Sequence, residues 1–309
     1  MLGRKEIDYI CKHFYIYDQN WKMYSQFLGE PFLINDCLVY YDGRVLYICG
    51  FPFTSNCCNV RSTMNEFRKL HSDCKIDIID VWGENCDIHG VLEGTSAEVV
   101  DFTPKNPKVF DSIIDIRSFS LKNYKKARLA VNAGRNKGIQ CHISSIKQLT
   151  YQHIMIMEHF SNTHVLVGPH VGIFLSIPNL ICQSDTYVVE AYSDSNLIGF
   201  CVLAKISRSH AIYCFACFDN STRASDMIMN TCIDYCKDNN IEYLHLGYSG
   251  TDSLLGFKTK WGGNISGIEY EEYFVSFVND KQFISNVVSG NFIWKDRIYL
   301  SALNKQDEK

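Results

Sequence analysis

The chain has 309 residues, of which 46% are hydrophobic, 13% aromatic and 21% charged, with a formal net charge of −4. At roughly 150 residues per domain this length predicts two domains, and the composition excludes a disordered or fibrous protein. The charge excludes a surface broadly coated in Lys and Arg, so any polyanion site is local.

The opening residues, MLGRKEIDYICKHF, show neither the apolar core nor the small-residue cleavage site of a secretory leader. No stretch reaches the roughly 18 apolar residues of a membrane span. A cytoplasmic location is expected, and with it reduced, mostly buried cysteines rather than bridged ones. Cys214 and Cys217 fall on opposite faces of a predicted strand, a poor geometry for one metal, while Cys232 and Cys236 share a helical face and read as small apolar packing groups.

In chain order, CLVYYDGRVLYICG gives two β-rich runs around Asp42-Gly43, a strong hairpin signal. Helical periodicity over Arg61–His71 follows, then a strand over IDIIDVWG ending at Gly83. The segment FSLKNYKKARLAVNAGRNKG predicts a helix with two characters. Lys125, Arg128, Asn132 and Arg135 fall within about one quarter of its circumference, and Leu121, Tyr124, Ala127 and Val131 form an apolar stripe. The basic face is either a solvated surface or a ridge for a polyanion. His159, His164 and His170 share no helical face, and Pro169 interrupts any helix between them, which argues against a zinc site.

The second half repeats the order of the first. YVVEAY and LIGFCVLAKI flank the turn SDSN, and AIYCFACF extends the sheet. A helix over about Ser225–Lys237, with Ser225 as N-cap, precedes the strand IEYLHLG, which ends at Gly247. Hairpin, helix and strand in both halves predict a duplicated α/β unit. After a polar loop comes LLGFKTKWGG, residues 254–263, which places two lysines among two aromatics and three glycines. It reads as a glycine-rich hinge passing close to a ligand.

The run from DMIMNTCIDYCKDNN through IEYLHLGYSG to LLGFKTKWGG resembles the last third of the Fem-type aminoacyltransferases and related proteins with a Gcn5-related N-acetyltransferase (GNAT) fold. Phe257, Lys258, Lys260, Trp261 and Gly262 take the places of that group's Phe-Lys-x-Lys-Phe/Trp-Gly motif. The basic helix and the following GIQCHI are similar to the helix that closes the first of the family's two domains. The resemblance implies an α/β (α+β) fold of tandem GNAT-like acyltransferase domains, with mixed, mostly antiparallel sheets flanked by helices. An N-terminal domain over 1–138 would end in the basic helix, and a C-terminal domain over 139–309 would carry the motif.

The same resemblance implies an aminoacyl- or acyltransferase that forms an amide bond on an amine acceptor, with aminoacyl-tRNA as co-substrate and no resident cofactor. Lys258 then stabilises the tetrahedral intermediate or the acceptor phosphates, with Phe257 beside it. Asp252 is the nearest carboxylate for the amine proton, and Tyr248 and His245 assist. Lys260, Trp261 and the ridge Lys125, Arg128 and Arg135 extend a basic path on which unpaired bases stack. Core packing is the competing reading of Phe257, Trp261 and His245. Two other functions stay open: N-acyl transfer from acyl-CoA or an acyl carrier protein, and a non-catalytic binding module of the same fold. GNAT acetyltransferases hold the coenzyme A pyrophosphate on a glycine-rich loop at a helix N-terminus, but the matching CFDNSTRASDMI has no glycine and places Asp226 against an anion. Peptidoglycan-directed members carry an Arg shortly after the position of Thr163, which is absent here, so the acceptor is left open.

Overall fold

The computed structural model describes residues 2–13, 20–50, 59–83, 91, 93, 98–100, 110–164, 166, 169–249, 252–269 and 271–288. Its contacts divide the chain into a unit 1 of residues 1–110 with 267–295 and a unit 2 built on residues 111–266.

Unit 1 holds the strands β1 (Glu30–Ile34), β2 (Cys37–Tyr41), β3 (Val45–Cys49), β4 (Ile78–Gly83) and β5 (Glu98–Val100). Asn35 and Asp36, at φ 48° and 66°, join β1 to β2 in a two-residue turn. Both positions lie in the left-handed region that Asn and Asp tolerate and a tight hairpin demands. The predicted Asp42-Gly43 hairpin follows, with Tyr40 opposite Tyr47. The Asp42 carboxylate accepts the N–H groups of Arg44 and Val45 at 2.9 and 2.8 Å. A helix, Val60–Leu70, then crosses to β4, which pairs parallel to β3. Val60, Met64 and Phe67 pack on Val39, Leu46, Ile48, Ile79 and Val81 from one face of the sheet. The chain returns to this sheet near its end: β13 (Glu271–Ser276) lies between β4 and β5, antiparallel to both.

Unit 2 has a seven-stranded sheet in the order β12-β6-β11-β10-β9-β8-β7. Its strands are β6 (Phe110–Asp115), β7 (Gln140–Ser144), β8 (Thr186–Ser193), β9 (Asn196–Lys205), β10 (His210–Phe218), β11 (Tyr243–Ser249) and β12 (Asn264–Glu269). The β8–β9 hairpin turns on Asp194 and Ser195, at φ 48° and 70°. A helix, Ala224–Asp238, crosses to β11, which runs parallel to β10. The hairpin, helix and parallel strand therefore recur in both units, as the sequence repeat predicts.

Three expectations meet a different structure. The basic helix, Lys125–Asn136, belongs to the core of unit 2, so the division falls after residue 110 and not after 138. Ala127 and Val131 face the crossing helix, and a Cβ at Gly134 would meet Met227 at 2.7 Å, which lets the two helices approach. Residues 267–295 rejoin unit 1 and not the motif-bearing unit. The crossing helix of unit 2 begins at Ala224, and Thr222, not Ser225, accepts a first-turn N–H, that of Ala224 at 3.1 Å.

Pro169 opens a second helix, Pro169–Leu180, after the helix Tyr151–Thr163 has ended. The side chain of His170 lies outside the described residues. Cys214, Cys217, Cys232 and Cys236 are buried and are not joined in disulfides. Among the described residues no helix is long and apolar enough to cross a membrane.

Candidate functional site

The stretch LLGFKTKWGG is not an extended hinge. It forms most of a helix, Asp252–Lys260, that follows β11. Asp252 in the first turn and Lys258 and Lys260 in the last complement the helix dipole. The helix stops in a Schellman motif. The Gly263 N–H donates to the Lys258 carbonyl at 3.0 Å and the Gly262 N–H to the Thr259 carbonyl at 3.0 Å. Gly262 takes φ 77°, and a Cβ there would lie 2.3 Å from the Tyr124 ring, so geometry and space both require glycine. The paired glycines are thus accounted for by the helix stop and by Tyr124.

The helix divides the motif between two faces. Phe257, Lys258 and Trp261 turn towards the sheet. Trp261 is wholly buried in the core of unit 2, a cluster that also holds Leu246, Ile139 and Met227, and Phe257 packs against the same core. Trp261 is therefore a packing residue and not a wall of an open site. Lys258 is also buried, 4% exposed, and its Nζ donates to the Gly247 carbonyl at 2.6 Å. Placing an ammonium in an apolar core is costly unless hydrogen bonds compensate it, and this main-chain oxygen, in the second half of β11, does so. Gly247 adopts φ 74°, outside the strand region, at that point.

Asp252, Leu255, Gly256, Thr259 and Lys260 share the other face, at i, i+3, i+4, i+7 and i+8. With Tyr124, Lys125 and Lys126 at the start of the basic helix they line an open groove of about 590 Å³. Asp252, Lys125 and Lys126 are exposed at its walls. Lys260 is held back: its ammonium pairs with the buried Asp226 carboxylate and lies 4.8 Å from the Phe257 ring centroid. The groove is therefore bipolar, with the exposed Lys125 and Lys126 on one wall and the Asp252 carboxylate on the other. Tyr124, read from the sequence as part of the basic helix's apolar stripe, stacks on Phe119 at 5.1 Å and a 9° angle, and its ring borders the groove.

The remaining candidates lie elsewhere. Arg128 and Arg135 are exposed on the basic helix, with Arg128 donating to the Lys122 carbonyl at 3.1 Å. His245 is fully buried on β11, its ring centroid 5.3 Å from that of His210. Burial, and then the neighbouring His210, pull its pKa down to about 3, so it is a neutral core group and does not reach the groove. Tyr248 lies on β11, and its side chain is outside the described residues. The structure thus brings Asp252, Lys125 and Lys260 to one groove, keeps Lys258 and Phe257 beneath it, and separates His245 and Trp261 from it. The i, i+3, i+4, i+7 spacing from Asp252 is the sequence signal for this face.

No protein-family model matches the chain, and no curated protein sequence matches it. Solved structures do share its fold. The C-terminal domain of an Agrobacterium fabrum protein named as a lysylphosphatidylglycerol synthetase superposes with a TM-score of 0.54 at 11% identity, over 88% of this chain and 93% of that one. FemX superposes with a TM-score of 0.52 at 12% identity, over 82% and 86% of the two chains. L-PGS of Bacillus licheniformis gives 0.50 at 12% identity, over 87% and 90%. The chain shares the fold of these structures, with two mixed sheets flanked by helices. At these identities the likeness is one of fold.

Proposed function

We propose that this protein is an acyltransferase that forms an amide bond on an amine acceptor, with aminoacyl-tRNA as donor, and that it acts in the cytoplasm, where charged tRNA is found. The observation that carries this reading is the bipolar groove of unit 2, set on a fold shared with FemX. Lys125 and Lys126 face phosphates, the Tyr124 ring offers a surface for an unpaired terminal base, and Asp252 on the opposite wall takes the proton of the attacking amine. Arg128 and Arg135 continue the basic face away from the groove. Lys258 supplies a fixed positive charge beneath it, in a low-dielectric setting where charge developing on an oxyanion is most strongly stabilised. Phe257 packs beside Lys258 and keeps water from that charge.

The test is transfer of a labelled aminoacyl group from charged tRNA to a panel of amines. Lys258→Met, which retains the apolar stem, is expected to lower the rate by about 10²-fold with the fold intact by circular dichroism. Lys125→Ala with Lys126→Ala should weaken tRNA binding and flatten its dependence on salt, since fewer counterions are released. Failure to bind charged tRNA even at low salt would sink the reading. An assayed activity that survives Lys258→Met unchanged would exclude catalysis through that lysine.

A further inference from the structure

The N-terminus of the helix Ala224–Asp238 presents a backbone field that favours an anion, because first-turn N–H groups and the helix dipole point the same way. In this chain a carboxylate already stands in that first turn. Asp226, in the first turn, is 3% exposed, and its carboxylate pairs with the Lys260 ammonium. Arg223 reaches the same carboxylate at 3.8 Å. The turn that leads in carries a second carboxylate, Asp219, which accepts the Ser221 N–H at 2.8 Å. Thr222 Oγ1 takes the Ala224 N–H. No glycine occurs between Phe218 and Asp226 to let a phosphate approach the main chain.

We propose that Asp226 is a built-in occupant of this anion position, so that unit 2 rejects acyl donors carried on a pyrophosphate-bearing nucleotide, coenzyme A thioesters among them. A phosphate arriving there would have to displace a buried carboxylate from Lys260, leaving that charge unpaired in a site almost closed to water. The residues present do not fit the coenzyme. The pair has a second effect: it ties up the Lys260 ammonium at the groove, which leaves Lys125 and Lys126 as the other described lysines that line it. The inference rests on the transferase reading only in calling the excluded molecules donors.

Isothermal titration calorimetry and amide NMR of the full chain, with inorganic pyrophosphate and then coenzyme A as probes, test it. The native protein should give no saturable heat and no movement of the Ala224, Ser225 and Asp226 amides. Asp226→Asn, which removes the internal anion, should bind pyrophosphate roughly tenfold or more tightly than the native chain. If that variant is unfolded by circular dichroism, Asp226→Ser, which keeps a hydroxyl in the first turn, takes its place. Saturable pyrophosphate binding by the native chain that shifts those amides would overturn the proposal, as would equal affinities for native and folded variant. The two readings fail separately. Absence of aminoacyl transfer with pyrophosphate still refused removes the proposed function alone, and native pyrophosphate binding alongside transfer from charged tRNA removes this inference alone.

Discussion

In unit 1 the helix that crosses between parallel strands is capped by Asn59, whose side chain accepts the Ser62 N–H at 2.8 Å. In unit 2 the corresponding helix has no side-chain cap from its N-cap residue, and a buried carboxylate stands in its first turn. Asn59 answers an orphan N–H of its helix start with a neutral amide that ends the matter locally, whereas Asp226 puts a buried charge in the first turn and requires a cation. Lys260 brings it from the helix after β11. The entries to the parallel strands differ in the same way. Unit 1 places the buried Asp77 carboxylate between Arg44, at 2.6 Å, and Lys75, at 2.9 Å. Unit 2 places His210 and His245 side by side. One topology thus carries two electrostatic programmes, and the groove lies in the unit whose crossing helix is tied to a following element.

That contrast can be broken by mutation and by acid. Trp261→Ala empties a fully buried site in unit 2 and should cost about 3–5 kcal/mol, seen as a lower urea midpoint for that unit while probes in unit 1 hold their midpoint. Acid should separate the units next. Burial lowers His210 to about 4, and burial with His210 lowers His245 to about 3. The unfolded chain therefore binds protons below about pH 6.5 that folded unit 2 refuses, so stability is full above that pH and falls as acid is added. Between pH 6.5 and 5 the loss should be on the order of 2–4 kcal/mol for the two imidazoles, and His245→Phe should reduce it.

For Asp77, burial raises the pKa, but hydrogen bonds from Lys75 and Arg44 outweigh it, and the net direction is down. Its contribution to unit 1 is present above the ordinary Asp value of 3.8 and disappears only as pH falls from there through the folded pKa. Fluorescence and circular dichroism across an acid titration should show unit 2 weakening first, and simultaneous loss of both units at pH 5 to 6 would contradict the assignment. Gly262→Ala is a smaller perturbation, about 1–3 kcal/mol for a strained left-handed residue, with Tyr124 pushed from its place beside the groove. Asn59→Ala in unit 1 should cost about 1 kcal/mol, measured by thermal unfolding, and leave the groove untouched.

Local chemistry made much of the fold legible. Period-two runs around Asp42-Gly43 and SDSN located two hairpins, and the 3.6-residue period located the crossing and basic helices. The β1–β2 hairpin escaped because its turn, Asn35-Asp36, lacks glycine and relies on the tolerance of Asn and Asp for positive φ. The placement of β13 was illegible, since nothing in EEYFVS names a partner strand so far back in the chain. At the site, the directions of the side chains were not legible in the sequence. Lys258, Lys260 and Trp261 look alike as a cationic aromatic string, and only the helix between Asp252 and Lys260 decides that Lys258 and Trp261 face the core while Lys260 meets Asp226 at the groove. Gly256 and the terminal glycine pair disguised that helix as a hinge. His245 could be assigned to one side of β11 but not to a buried layer, because burial depends on elements remote in sequence.

The return of β13 to the first sheet has a consequence for how the chain is made. Residues 271–276 supply the strand between β4 and β5, so unit 1 emerges first during synthesis yet lacks an inner strand until nearly all of unit 2 has followed. An N-terminal-first order of folding, the usual course for tandem domains, cannot finish unit 1. Until then the edge of β4, rich in isoleucine and valine, is an unpaired template for other chains, which makes the newborn protein a natural client for chaperones.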